Sequence, residues 1–341
     1  MDVNARTKSC RPRGAATRVL AAAAYVMLSV LLHACGGSGS EAPANPPQAN
    51  SGPGAGPDTG PDTGPVASPG PGPGPGGASI VAWGDSWTSG VGAVDGMSFP
   101  DQLQSLTART VFNGGVSGQT SDQIAARQGG APALLTLPGN TLPASGLVVI
   151  QDQSTFPVSA EGPAWITGTL SGIHGTLSFN GSNLVFQADQ AGTARTVPPQ
   201  SAFDPDTFGS QSEINVFWMG SNNFFDPAGV KSDIAKAVAF LSTGKFIVLG
   251  LLNAGSEPRG SAPYDLIIQL NTDLAASYPN NFLDIRSILV ASYDPSSPQD
   301  VADHGNDVPP ASLKNDDEHP NEAGYAIVAQ QVAGIISAKG W

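Results

Sequence analysis

The chain has 341 residues, with 15 Lys+Arg against 28 Asp+Glu and a net charge of −13 at pH 7. That balance disfavours nucleic acid and anionic lipid as partners, because their phosphates would meet a surface of their own sign. Both cysteines, Cys10 and Cys35, lie close to the N-terminus, so the rest of the chain has no disulfide framework and must rely on its core.

Residues 1–18 carry Arg6, Lys8, Arg11, Arg13 and Arg18 against one acid, Asp2, and the apolar run VLAAAAYVMLSVLLHAC follows, ending at Cys35. A basic start, an apolar stretch and a small residue before the cut are the parts of an export signal. The run is too short and wrongly flanked for a comfortable membrane span; an uncleaved N-terminal anchor is the alternative. Leu32-His33-Ala34-Cys35 resembles the bacterial lipobox, although His33 stands where a small residue is usual. The resemblance implies a signal peptide over 1–34 that is removed and a Cys35 that becomes the lipidated first residue. Gly36 follows, with no Asp to retain the protein at the inner membrane, so the resemblance implies a lipid anchor in a Gram-negative outer membrane, at its periplasmic face or the cell surface. Five of the basic residues and one acid precede Cys35, so the chain from there on carries 10 Lys+Arg against 27 Asp+Glu, a net −17. Only the lipid would hold such a chain at a membrane.

From Cys35 to residue 78 the sequence is almost all Gly, Pro, Ser, Ala, Asn, Asp and Thr, with the repeats GPDTGPDTGP and PGPGPGPGG. A segment without an apolar face cannot offset the entropy of ordering. It reads as a disordered linker that reaches on the order of 100 Å at the polyproline rise.

Residues 79–341 read as one α/β domain. Five apolar runs look like buried parallel strands: SIVAW (79–83), TVFNG (110–114), INVFWM (214–219), KFIVLGLL (245–252) and FLDI (282–285). They lack alternation, as strands covered on both faces should. Helical patterns lie between them: FPDQLQSLTA, SDQIAARQ, DPAGVKSDIAKAVAFLST, PYDLIIQLNTDLAASY, and last NEAGYAIVAQQVAGIISAKG with Asn321 as N-cap. Strands alternating with helices imply a doubly wound parallel sheet, whose ligand site lies beyond the carboxyl ends of the strands. Residues 138–208 break the pattern. They read as short strands and hairpin turns, a β-rich insertion with Trp165, Phe179 and Phe186 as stacking or core aromatics. A lid or carbohydrate platform is the functional reading and a structural ornament the bland one.

Four short blocks fall at the expected ligand edge. Gly84-Asp85-Ser86 follows the first strand, presenting a hydroxyl. Gly118 follows the second, where the missing side chain lets a backbone N–H approach a substrate oxygen. Gly220-Ser221-Asn222 follows the third and can aim an amide at the same oxygen. Asp316 lies three residues before His319, at a spacing that can bring a carboxylate to the imidazole Nδ1–H. Pro320 biases His319 toward extended backbone. Each block alone is an ordinary turn; the other histidines, His33, His174 and His304, lack the acid-and-proline context.

Together and in this order the blocks resemble the SGNH hydrolases, also called the GDSL family. The resemblance implies a flavodoxin-like three-layer α/β/α fold and a serine ester hydrolase. In it Ser86 is the nucleophile, His319 the base and Asp316 the residue that orients the base. The Ser86 N–H, the Gly118 N–H and the Asn222 amide form the oxyanion hole. Asn223 stands where the family often has Asp, Trp87 where small aliphatics are common, and the insertion is not a general family feature. A serine needs an adjacent base and a few fixed donors for this chemistry, so neither a metal nor a cofactor is expected. Export, linker and insertion together point to a carbohydrate O-acetylesterase acting as a monomer on an acetylated glycan. A lipase or arylesterase, an O-acyltransferase, and a catalytically silent glycan-binding surface protein are the alternatives.

Overall fold

The structure, a computed structural model, describes residues 77–158, 165–206 and 211–341. The expected leader, Cys35 and nearly all of the linker lie outside them. The described chain opens on β1 (Ile80–Gly84), followed by the single turn α1 (Ser86–Ser89), α2 (Phe99–Thr107), β2 (Val111–Gly115) and α3 (Ser121–Gln128). Nine short strands follow: β3 (Ala133–Thr136), β4 (Thr141–Leu142), β5 (Leu147–Val149), β6 (Asp152–Gln153), β7 (Trp165–Leu170), β8 (Ile173–Phe179), β9 (Leu184–Ala188), β10 (Arg195–Thr196) and β11 (Ser201–Pro205). The α/β pattern then resumes with β12 (Ile214–Trp218), α4 (Pro227–Ala239), β13 (Phe246–Leu249), α5 (Ala262–Ser277), β14 (Phe282–Leu283), α6 (Ile285–Ala291), α7 (Pro298–Gly305) and α8 (Glu322–Ala338).

Five strands form a parallel sheet in the order β14-β13-β12-β1-β2. Taken by their own succession this is the doubly wound 2-1-3-4-5 order, with its reversal between β1 and β12. Every residue of β1 and β12 is buried, because α2 and α8 pack together on one face and α3, α4 and α5 on the other. The helix starts are written locally. Ser98 and Asp101 form a capping box for α2, Asp226 caps α4 ahead of Pro227, and Asn321 accepts from the N–H groups of Ala323 and Gly324 at the start of α8. The fifth strand is shorter than FLDI suggests, because Asp284 instead caps α6 by accepting from Ser287 N.

The insertion is a second, antiparallel sheet, β5-β9-β8-β7-β11-β3-β6, with a two-stranded ribbon of β10 and β4. It starts at β3, earlier than residue 138. The four-residue run ALLT takes its strand character from long-range pairing with β11 and β6, which no local pattern announces. A separate core of Leu135, Leu170, Leu177, Phe186 and Phe203 holds it. Phe186 meets Phe203 edge to face at 6.1 Å between ring centres and is a core residue, not a stacking surface.

Where β1 ends, the backbone is packed on both sides. A Cβ on Gly84 would sit 2.0 Å from Thr88 Oγ1 and 2.3 Å from the carbonyl oxygen of Trp218. Backbone cannot yield to that clash, so Gly84→Ala is expected to lower the unfolding free energy by about 3 kcal/mol or more in urea titrations. A loss below about 1 kcal/mol would show that this junction is loosely packed.

Candidate active site

Three strand ends and one helix entry meet at the reversal of strand order. Asp85 ends the turn after β1 and caps α1, accepting from Trp87 N at 3.1 Å. This places Ser86 as the first residue of α1. The His319 loop runs back on itself before α8: Asn315 N donates to the carbonyl of His319 at 2.9 Å, and Asn321 N to that of Leu313 at 3.0 Å. Gly92 packs against this loop so tightly that a Cβ there would meet the Pro320 carbonyl at 2.5 Å, and it takes a φ of +96°. Tyr325 of α8 donates its hydroxyl to Val91 O at 2.7 Å, and Glu322 accepts from Val94 N at 3.0 Å. The segment after α1 is thus bonded to the start of α8.

The result is a continuous relay. His319 Nε2 lies 3.0 Å from Ser86 Oγ, and its Nδ1 lies 2.9 and 3.0 Å from the two oxygens of Asp316. A carboxylate accepts only, so Nδ1 carries the proton and Nε2 is left to accept from the serine hydroxyl. Asp316 also receives the backbone N–H groups of His319 at 2.7 Å and Glu318 at 2.8 Å. Desolvation pushes the Asp316 carboxyl up, but these N–H groups and the imidazole outweigh it and hold it below the ordinary carboxylate range. It therefore stays ionised and fixes the ring. His174, by contrast, sits in the insertion between Asp189 and Asp206 at 2.5 and 2.8 Å. His304 stacks on Tyr293 at 4.1 Å.

The donors assigned to an oxyanion lie in the turns that follow β2 and β12, the two strands beside β1. Gly118 has a φ of +75°, which only glycine adopts without strain, and it is exposed. Asn222 lies in the turn after β12 and gives one amide hydrogen to the carbonyl of Gln119 at 2.9 Å. A carbonyl can only accept, so the amide orientation is settled and its second hydrogen is directed away from that bond. Asn223 faces the start of α3, accepting from Ser121 N and donating to Ser121 Oγ, both at 3.0 Å.

Several supporting residues were not visible as such in the sequence. Asp85 is fully buried and accepts Ser221 Oγ at 2.6 Å, joining the nucleophile turn to the turn that carries Asn222. Burial pushes its carboxyl up to about 6, against the opposing pull of the Ser221 hydroxyl, the Trp87 N–H and His319. Trp87 donates its indole N–H to the carbonyl of Glu318 at 3.1 Å and packs on Trp218 at 5.2 Å, tying the first block to the last. The only local signal for these roles was the Gly-Asp-Ser turn itself, which also suits any N-cap. A pocket of about 60 Å³ is lined by Trp87, Ser221, Asn222, Phe224, Leu252, Ala254, Ile267, Glu257 and Glu318.

No family model matches the chain. It is 26% identical over 274 residues to a tail spike protein of Salmonella phage epsilon15, a match that covers 70% of this chain and 25% of that protein. The chain thus spans about a quarter of that relative. Among solved structures it is similar to the lipase/acylhydrolase of Enterococcus faecalis, at 12% identity and a TM-score of 0.44, covering 77% of this chain and 97% of that one. It is also similar to a member of the lipolytic protein G-D-S-L family from Veillonella parvula, at 14% identity and a TM-score of 0.42, covering 76% and 98%. The hydrogen-bonded geometry of the site, and not these likenesses, carries the functional reading.

Asp85 gives a pH test of this geometry. Its folded value lies near 6 against an ordinary 3.8, so the folded state keeps this proton to higher pH than the unfolded chain does. The stability that this one group contributes is greatest below about pH 4, falls by about 3 kcal/mol as pH rises through 6, and is flat above it. Asp85→Asn lacks that titration, and the Ser221 hydroxyl can accept from the new amide. Relative to wild type, the variant is expected to gain about 3 kcal/mol between pH 4 and pH 7 in urea unfolding. Parallel pH profiles for the two proteins would contradict the assignment.

Proposed function

We propose that the protein is a serine ester hydrolase of the SGNH type, acting as a carbohydrate O-acetylesterase. The relay Asp316–His319–Ser86 is the observation that carries the reading. In the first half-reaction Ser86 Oγ forms a bond to the ester carbonyl carbon while its proton passes to His319 Nε2. The carbonyl oxygen becomes an oxyanion held by the N–H groups of Ser86 and Gly118 and the second amide hydrogen of Asn222; one such donor is worth roughly 3 kcal/mol where it has been measured in a serine protease. Collapse breaks the bond to the alcohol oxygen, which leaves with the proton from His319. Water then attacks the acyl-Ser86 ester with His319 again as base, releasing the acid and restoring the serine.

The pocket lined by Trp87 and Asn222 is small, about 60 Å³, and we read it as the place of a short acyl group. Burial pushes the Glu257 carboxyl in this pocket up, with Glu318 and Asp317 adding to the effect. The acidic chain as a whole makes an anionic substrate a poor fit. On the alcohol side, Phe225 is 64% exposed three residues after Asn222, and Phe156 is 38% exposed in the segment beside Gln119. Exposed rings next to a polar site suit the apolar face of a sugar. The anchoring of the chain through a lipid on Cys35, at a bacterial outer membrane, completes the proposal.

Three measurements test it. Ser86→Ala is expected to lower kcat on p-nitrophenyl acetate by at least about a thousandfold with no change in the unfolding transition. In a series of p-nitrophenyl esters, kcat/KM is expected to fall steeply beyond about four acyl carbons. Phe225→Ala should leave the acetate ester unaffected and raise KM for an acetylated polysaccharide about three- to tenfold. Preference for long acyl chains would make the protein a lipase, and an unchanged polymer KM would remove the saccharide from the reading.

A further inference from the structure

Gln119 follows the glycine assigned to the oxyanion hole and is almost wholly buried, 1% exposed. Each of its four polar groups has a different partner. Its N–H donates to Val116 O at 3.3 Å, and its carbonyl accepts from the Asn222 amide at 2.9 Å. Its side-chain oxygen accepts from Arg127 Nε at 3.1 Å, and its side-chain nitrogen donates to the carbonyl of Pro157 at 3.3 Å. Pro157 belongs to the insertion, in the stretch where Thr155 also bonds Asp122 at 2.6 Å.

Arg127 explains why this residue must accept. It is buried in α3, donates to Gly114 O at 2.6 Å, and lies over the Trp83 ring at 5.2 Å. Among the described residues no carboxylate is paired with it. Burial lowers it to about 9, so at neutral pH the cation is present and depends on neutral acceptors and a ring face. Glutamine alone among residues of its length offers an acceptor to the guanidinium and a donor to the Pro157 carbonyl. Its own position then sets the carbonyl that orients Asn222.

We propose that Gln119 is a positioning residue for the oxyanion donor Asn222, and that through it the β-rich insertion takes part in holding the ester site. The proposal rests on the ester-hydrolase reading above. It gives the insertion a role beyond specificity: the contact at Pro157 braces the loop after β2 from outside the α/β core. It also explains why the interior keeps a cation with no carboxylate partner among the described residues, since Arg127 fixes the other end of the same side chain.

A double-mutant cycle with Asn222 separates positioning from bulk stability. Gln119→Met removes both side-chain bonds; Gln119→Glu keeps the acceptor for Arg127 and loses the donor to Pro157, which guards against a variant that fails to fold. Each is expected to lower kcat on p-nitrophenyl acetate about tenfold or more, with KM within about threefold of wild type. In the Asn222→Ala background the same substitutions should cost less than about twofold, because the group they orient is gone. Losses that multiply across the two sites, or wild-type kcat in both variants, would overturn the proposal. The side-chain amide resonance of Asn222, identified by its absence in Asn222→Ala, gives a readout free of turnover: it should move in Gln119→Glu. An unmoved signal would also overturn the proposal, whereas a moved signal in a protein without esterase activity would instead refute the ester-hydrolase reading.

Discussion

A hydrogen bond of 3.0 Å between Ser86 and His319 joins residues 233 positions apart in sequence. The rest of the site depends on keeping it. The serine is fixed by the end of β1, and the histidine by the entry of α8, so the two reach each other only if α8 packs back beside α2 on one face of the sheet. The Tyr325–Val91, Glu322–Val94 and Trp87–Glu318 bonds are the local ties that hold this closure. They are short-range consequences of a long-range fold. A small shift of α8 would open the relay without disturbing either half.

The second constraint is the reversal of strand order between β1 and β12. It leaves a crevice where consecutive strand connections depart to opposite faces. Asp85 crosses that crevice to Ser221, and Gln119 crosses from the neighbouring loop to Asn222. The turns that carry Ser86 and Asn222 are therefore braced by polar bonds to each other's neighbours, and not only by their own loops. Buried polar groups of this kind are costly unless every partner is present, which is the reason to read Asp85 and Gln119 as parts of the site and not as incidental core polarity.

Much of the fold was legible because its strands are covered on both faces. SIVAW and INVFWM have to be apolar without alternation when helices lie above and below, and that pattern survives in a single sequence. Asn321 was legible as an N-cap because a cap is a local device. The four candidate blocks could be placed because each follows a strand or precedes a helix. What could not be read depends on distant partners. ALLT is a strand only through β11 and β6, and FLDI gives way after two residues to the cap of α6. Arg127 in SDQIAARQ has the look of a solvent-facing helix residue, and nothing nearby in sequence says that Gly114 and Gln119 enclose it. Asp85 likewise has the look of a turn aspartate until its carboxylate is seen to be buried.

The central claim is that Ser86 is an activated nucleophile. Reaction of the folded protein with a fluorophosphonate ester, followed by digestion and mass spectrometry, tests it without assuming any natural substrate. The account predicts one phosphonyl adduct per chain, on Ser86, formed far more slowly after His319→Gln. An adduct on another residue, no adduct at all, or labelling of Ser86 that is indifferent to His319 would contradict it.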